Sequence, residues 1–233
     1  MMFFLIRLKY FFKFAFFLIS IIFFTHLTSS ADNMELTEAH KLLVKKDHLV
    51  NLKKPTKLKY IYKKKGSLEP NFNDRVIMIV PEKDDKGYHD IKFDFFSGYN
   101  KEDLTSARYK TTNPIFHAFW DHDIKVMTRL TKGSTIYFRK RITWSLSDKL
   151  KFNIKPATCN YNNEKFDGHK IEHRPYEQDY DSTKFEKYAK KKYYITLCDK
   201  IPGMIYKVET IIPSEDGKEP LIQETLTLQE IIS

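Results

Sequence analysis

The apolar residues of this chain keep a period of two towards both ends and switch to a period of 3.6 over residues 113–131. A period of two puts alternate side chains on opposite faces of a strand. A period of 3.6 lays one stripe along a helix, so the switch excludes an all-α or an all-β domain. Leu58, Tyr60 and Tyr62 alternate with Lys59, Ile61 and Lys63, which predicts a half-buried strand. Residues 76–80 are a continuous, mostly β-branched run, which predicts an interior strand covered on both faces. Pro81 ends that run, and residues 84–87 make a turn. Ile91, Phe93 and Phe95 then alternate with Lys92 and Asp94 in a third strand, closed by Ser97 and Gly98. Turns this short favour an antiparallel meander.

The helical stretch opens on Asn113-Pro114, a capping side chain followed by a ring already at helical φ. Phe116, Phe119, Trp120, Ile124, Met127 and Leu130 form its stripe, and Gly133 supplies the C-terminal stop. Residues 134–148 fit two patterns. Ile136, Phe138, Ile142, Trp144 and Leu146 share one parity, as in a strand. Phe138, Ile142 and Leu146 also fit i, i+4, i+8, with Ser134 placed to cap, and this second pattern is preferred because it closes a helical hairpin over 113–148.

A strand pattern returns at 150–154, and residues 170–174, after a turn at Asp167-Gly168, are only a candidate short strand, not counted below. Residues 179–192 are charged and carry one helical turn around Phe185 and Tyr188. Tyr193, Ile195 and Leu197 form an inward face, and residues 204–212 and 221–228 make a hairpin across Asp216-Gly217. The fold class is therefore α+β: a mainly antiparallel sheet of about seven strands, three before and four after a helical hairpin packed on one face. A sheet with such a lid is the general plan of periplasmic half-barrels that hold lipid tails, an analogy at the level of fold alone, with no family motif behind it.

Residues 1–31 read as a cleavable secretory signal peptide. Arg7, Lys9 and Lys13 precede an uncharged apolar run over residues 14–24, and Ser29 and Ala31 stand at −3 and −1 of a cleavage point before Asp32. Residues 32–57 are expected to be an N-terminal helix and linker, with Leu36, Ala39, Leu42 and Leu43 at helical spacing and Pro55 in the connection; residues 58–233 are a single domain. The address expected is the periplasm of a Gram-negative bacterium, which excludes nucleic acid as a partner and directs the basic surface, +10 in all and about +7 once the leader's three cations are removed, towards a lipid or anionic envelope component, or an envelope protein. An oxidising compartment permits a disulfide between the two cysteines, Cys159 and Cys198. No CxxC is present, so thioredoxin-like chemistry is excluded.

Lysine is the default cation of this chain, so each of its few arginines marks a place suited to a planar, two-pronged donor. Arg139 and Arg141 with Tyr137 and Trp120 are the ligand-binding candidates, the cations for a head group and the rings for an apolar part. The structural alternative has the two arginines clamping Asp121 or Asp123 across the helical hairpin. His117 and Asp121, at i and i+4, are candidate metal ligands without an evident third. His122 and Asp123 point elsewhere on the wheel and read as surface residues. His169 and His173 share a strand face with Ile171 between them, expected to be exposed. There is no GxSxG, HExxH or glycine-rich phosphate loop, and no cofactor is expected. The sequence thus points to a non-enzymatic binder of an amphipathic or anionic envelope ligand or protein partner. The alternative is a periplasmic hydrolase or metal-dependent enzyme built on His117, Asp121 or the His169/His173 pair.

Overall fold

The computed structural model describes residues 36–104, 106–177 and 185–232. The leader and its Ala31/Asp32 junction lie outside the described residues, as does the first part of the charged stretch 179–192.

Nine strands form one antiparallel sheet in the order β4-β3-β2-β1-β9-β8-β7-β6-β5. They are β1 (Thr56–Lys65), β2 (Phe72–Val80), β3 (His89–Phe95), β4 (Ala107–Tyr109), β5 (Phe152–Tyr161), β6 (Glu164–His173), β7 (Lys192–Leu197), β8 (Ile205–Ile212) and β9 (Ile222–Ile232). Every pairing but one joins consecutive strands. The exception, β1 with β9, zips the first strand to the last and so joins a four-strand meander to a five-strand one. The helices fill the connection between the meanders: α2 (Ile115–Thr131) and α3 (Thr135–Ser145), with a short α1 (Glu38–His40) near the start, continued by a wider turn over Lys41–Lys45. Thr37 ties α1 to the hairpin, its hydroxyl accepting from His40 N and donating to Leu146 O, each at 3.0 Å.

Nine strands, rather than about seven, is a correction with two local causes. β4 is three residues long, too short to establish a period, and exists through its pairing with β3. The β5–β6 hairpin turns at Asn162-Asn163, not at Asp167-Gly168. Both asparagines take left-handed φ values, 51° and 63°, the conformation a two-residue hairpin loop requires. Gly168 is instead a strand residue opposite Ala157. A Cβ there would lie 2.3 Å from Cys198 Sγ and 2.0 Å from Leu197 O, so glycine clears the path of the Cys159–Cys198 disulfide, which reaches from β5 to the end of β7.

β2 is interior to the sheet but not covered on both faces: Val76, Met78 and Val80 are buried, while Ile77 and Ile79 are only half-buried. Residues 134–148 resolve as the helix α3. The Asn113 side chain accepts from Ile115 N at 3.0 Å to open α2. At the other end the left-handed residue is Lys132 (φ 58°) rather than Gly133, whose lack of a Cβ leaves room for the Phe138 ring.

The two long helices pack on the sheet face that presents Tyr62, His173 and Tyr193. The α2 stripe buries Phe116, Phe119, Trp120, Ile124 and Met127 there, and α3 adds Phe138, Ile142 and Leu146. Rings dominate the filling. Phe138, Tyr176 and Phe185 stand edge-on to one another, their centroids 5.7–5.8 Å apart.

Candidate functional site

Three consecutive residues of α2 meet three environments. Asp121 faces Arg139 of α3 across the hairpin, with 2.9 Å between Oδ1 and the guanidinium. His122 turns under the helix. Its Nδ1 donates to Glu102 Oε1 at 2.6 Å, and its Nε2 lies 3.4 Å from the Tyr62 hydroxyl and 3.7 Å from Glu224 Oε1. Asp123 is fully buried, paired with Lys191 through Oδ1 and accepting from the Tyr193 hydroxyl at 2.6 Å through Oδ2.

The last two environments join at Glu224, on β9. Its Oε1 accepts from the Tyr62 hydroxyl at 2.6 Å; its Oε2 accepts from Thr210 at 3.1 Å and lies 3.9 Å from the Lys191 ammonium. Two buried cations thus face two buried carboxylates, each with hydroxyl donors completing its shell, the condition under which buried charge is tolerated. Burial opposes the charge on His122, but the hydrogen bonds and charges of Glu102 and Glu224 outweigh it and raise the imidazole to about 9. Burial likewise opposes ionisation of Glu224, and His122, Lys191 and Tyr62 overcome it, holding the carboxyl well below its ordinary range. Asp123 goes the other way: burial, with Glu224 nearby, pushes its carboxyl up despite Lys191.

Above this network lies a cleft of about 440 Å³. Its walls are the rings of Tyr62, Phe72 and Phe96, its floor is His122 with Glu102 and Glu224, and Lys64, Lys125 and Arg129 stand at its rim with Asn71 and Asn100. The rim cations share two acidic partners. Lys64 (3.0 Å) and Arg129 both hold Glu69, and Lys125 holds Glu102 at 2.9 Å. The rings suit the flat or apolar body of a small ligand, and the polar edge presents cations and carboxylates together.

The residues singled out from sequence lie elsewhere. Trp120 is buried among Phe116, His117, His173 and Tyr193. Arg141 stacks on Tyr137, 5.4 Å from its ring centre, and Tyr137 packs on Phe138 and Phe185. His117 stacks on Tyr109, and burial, with repulsion from His48, lowers it to about 4. Asp121 is engaged by Arg139, and among the described residues no three His, Cys, Asp or Glu side chains are grouped to hold a metal.

His122 and Asp123 are not surface residues. Both are buried, because Glu102, Glu224 and Lys191 reach them from distant parts of the chain. His173 is not exposed either; it lies under α3, 2.6 Å from Ser145 Oγ and stacked on Phe152, and burial lowers it to about 3. His169, on the same face, stays exposed. Sequence reasoning passed over Tyr62, Glu102, Lys191 and Glu224 as site residues. A signal existed for two of them: Lys191 shares the inward parity of Tyr193 and Ile195, and Glu224 that of Ile222 and Leu226. A charge standing on the buried parity of a strand needs a buried partner.

No family model matches the chain, and no curated protein matches it. Among solved structures, it aligns with a LolA superfamily protein from Nitrosomonas europaea at 7% identity and a TM-score of 0.23, over 83% of this chain and 92% of that one. It also aligns with a putative outer membrane lipoprotein-sorting protein domain from Vibrio parahaemolyticus at 11% identity and a TM-score of 0.23, over 76% and 84% of the two chains. At those scores neither likeness carries an argument about this chain.

Proposed function

We propose that this is an exported, non-enzymatic binding protein that takes an amphipathic ligand with an anionic end in the cleft beside α2. The observation that carries the reading is an aromatic-walled cleft with His122 at its floor and Lys64, Lys125 and Arg129 at its rim. The rings offer area for an apolar body, and the cationic rim offers charge-assisted hydrogen bonds to a carboxylate or phosphate. The proposed export to the periplasm rests on residues 1–31, and the Cys159–Cys198 bridge is in keeping with an oxidising compartment.

Mass spectrometry of an organic extract of protein purified from its native host is expected to show a stoichiometric anionic amphiphile. A fluorescent long-chain fatty acid is expected to bind saturably, with affinity reduced about tenfold or more in Lys125→Ala/Arg129→Ala. An empty extract together with non-saturable fatty-acid binding would overturn the reading.

A further inference from the structure

α3 is apolar on two sides. Phe138, Ile142 and Leu146 face the sheet and are buried; Ile136 and Trp144 stand on the other side, 66% and 62% exposed. A helix of a globular domain needs only one apolar face to fold, so the second has no role in the packing described above. Ile136, Lys140 and Trp144 recur at i, i+4 and i+8 and form one stripe, with the Lys140 ammonium 5.6 Å from the Trp144 ring. Leu150, in the turn that follows, is 79% exposed. Of the eight large apolar side chains exposed among the described residues, these three fall within one fifteen-residue stretch, a concentration that marks an interaction surface.

Charge identifies the occupant. Residues 132–149 carry Lys132, Arg139, Lys140, Arg141 and Lys149 against one acidic residue, Asp148, so the helix and its flanks are strongly cationic. Arg139 is engaged by Asp121, and Lys132 and Lys140 stand exposed beside the stripe. An anionic bilayer offers both things this face lacks, a negative surface and, a few ångströms deeper, an apolar layer. The amphipathic indole of Trp144 suits the boundary between them. We propose that the outer face of α3 docks the protein on anionic lipid bilayers, with Ile136 and Trp144 entering the interface and Lys132 and Lys140 lying over the head groups. This surface is separate from the cleft, and its test does not depend on what the cleft binds.

The chain has two tryptophans, Trp120 buried and Trp144 exposed, so a fluorescence change on adding vesicles reports Trp144. Protein expressed from the full-length sequence, wild type and variants in parallel, is mixed with phosphatidylcholine vesicles with and without one-third phosphatidylglycerol. Expected are co-sedimentation and a blue shift with the anionic vesicles only, both weakened by salt. Binding is expected to fall at least about tenfold in Ile136→Glu/Trp144→Glu and about fivefold in Lys140→Ala, with melting unchanged because these side chains are exposed. Trp144→Phe is expected to keep the sedimentation and lose the blue shift. Equal sedimentation of wild type and the double glutamate variant would overturn the proposal. So would an unshifted spectrum in bound wild type, or lipid-free self-association that the double variant dissolves, which would assign the face to a second copy.

Discussion

Asp121 and Asp123 are two residues apart on α2, and each faces one basic side chain. Asp121 meets Arg139 with both partners roughly half exposed; Asp123 meets Lys191 with both sealed from solvent. In water, charges already solvated gain little from pairing, and such pairs contribute from nothing to about 1 kcal/mol. In the interior the attraction is stronger, but so is the cost of removing each charge from water, and the balance depends on every remaining hydrogen bond being made. Asp123 and its neighbour Glu224 meet that condition through Tyr193, Tyr62 and Thr210. The contrast teaches that a pair's contribution is set by its surroundings, and that the sealed network is held as a unit while the exposed pair is not.

The sharpest way to break that contrast is to remove one sealed partner. Lys191→Met leaves Asp123 and Glu224 as two buried carboxylates facing His122 alone. Urea denaturation is expected to show a loss of about 3–5 kcal/mol. Replacing both members, as Lys191→Met/Asp123→Leu, is expected to cost less than the single change, because no orphaned charge remains. If the single change costs no more than an exposed pair, the network is not a unit.

Next in size is a pH effect that only the sealed side can produce. His122 has a raised folded pKa of about 9 against an ordinary 6.5. Its contribution is therefore complete below about pH 6.5 and disappears as pH rises through 9. The difference corresponds to about 3 kcal/mol lost over that window, below the range where the tyrosines titrate. His117 and His173, lowered to about 4 and about 3, act in the opposite direction: acidification below pH 6.5 protonates the unfolded chain in preference and destabilises the fold. Stability against pH is expected to peak near 6.5, and His122→Gln to flatten the alkaline limb while leaving the acidic one. An unchanged alkaline slope in that variant would remove His122 as its source.

The difference between the two aspartates also marks where sequence reasoning stopped. Parity placed Leu58, Tyr60 and Tyr62 inside, and the helical stripe placed Phe116, Phe119, Trp120, Ile124, Met127 and Leu130 inside; all are buried but Leu130, at the end of the helix, which is half-buried. Those inferences needed only neighbours in the chain. Placing His122 and Asp123 inside required knowing that Glu224 and Lys191, far along the chain, would arrive opposite them. Without partners, a histidine and an aspartate on a helix belong in water, which is where periodicity put them. The same holds for β4, which exists through its contact with β3, and for the cleft, whose walls come from β1, β2, α2 and the loop after β3.

A finer cut within the sealed network is Tyr193→Phe. It removes one hydroxyl that donates to Asp123 at 2.6 Å and leaves the ring packing intact. A hydrogen bond to a charged group contributes about 1.5–3 kcal/mol, so a loss of about 2 kcal/mol is expected, between the removal of Lys191 and any surface change. A loss below about 0.5 kcal/mol would mean that Lys191 alone satisfies the carboxylate.

The smallest effect belongs to the exposed pair. Arg139→Ala leaves Asp121 in contact with water, so no buried charge is orphaned, and the expected loss is about 0.2–1 kcal/mol, shrinking further in 0.5 M salt. A double-mutant cycle with Asp121→Ala isolates the pair from the packing of the arginine stem on the hairpin. Its coupling energy is expected to be a few tenths of a kcal/mol and to vanish with salt, whereas the Lys191 effect should barely respond because salt does not reach it. A coupling above about 2 kcal/mol, or one indifferent to salt, would mean that the two helices of the hairpin exclude water from Asp121 as thoroughly as the sheet does from Asp123.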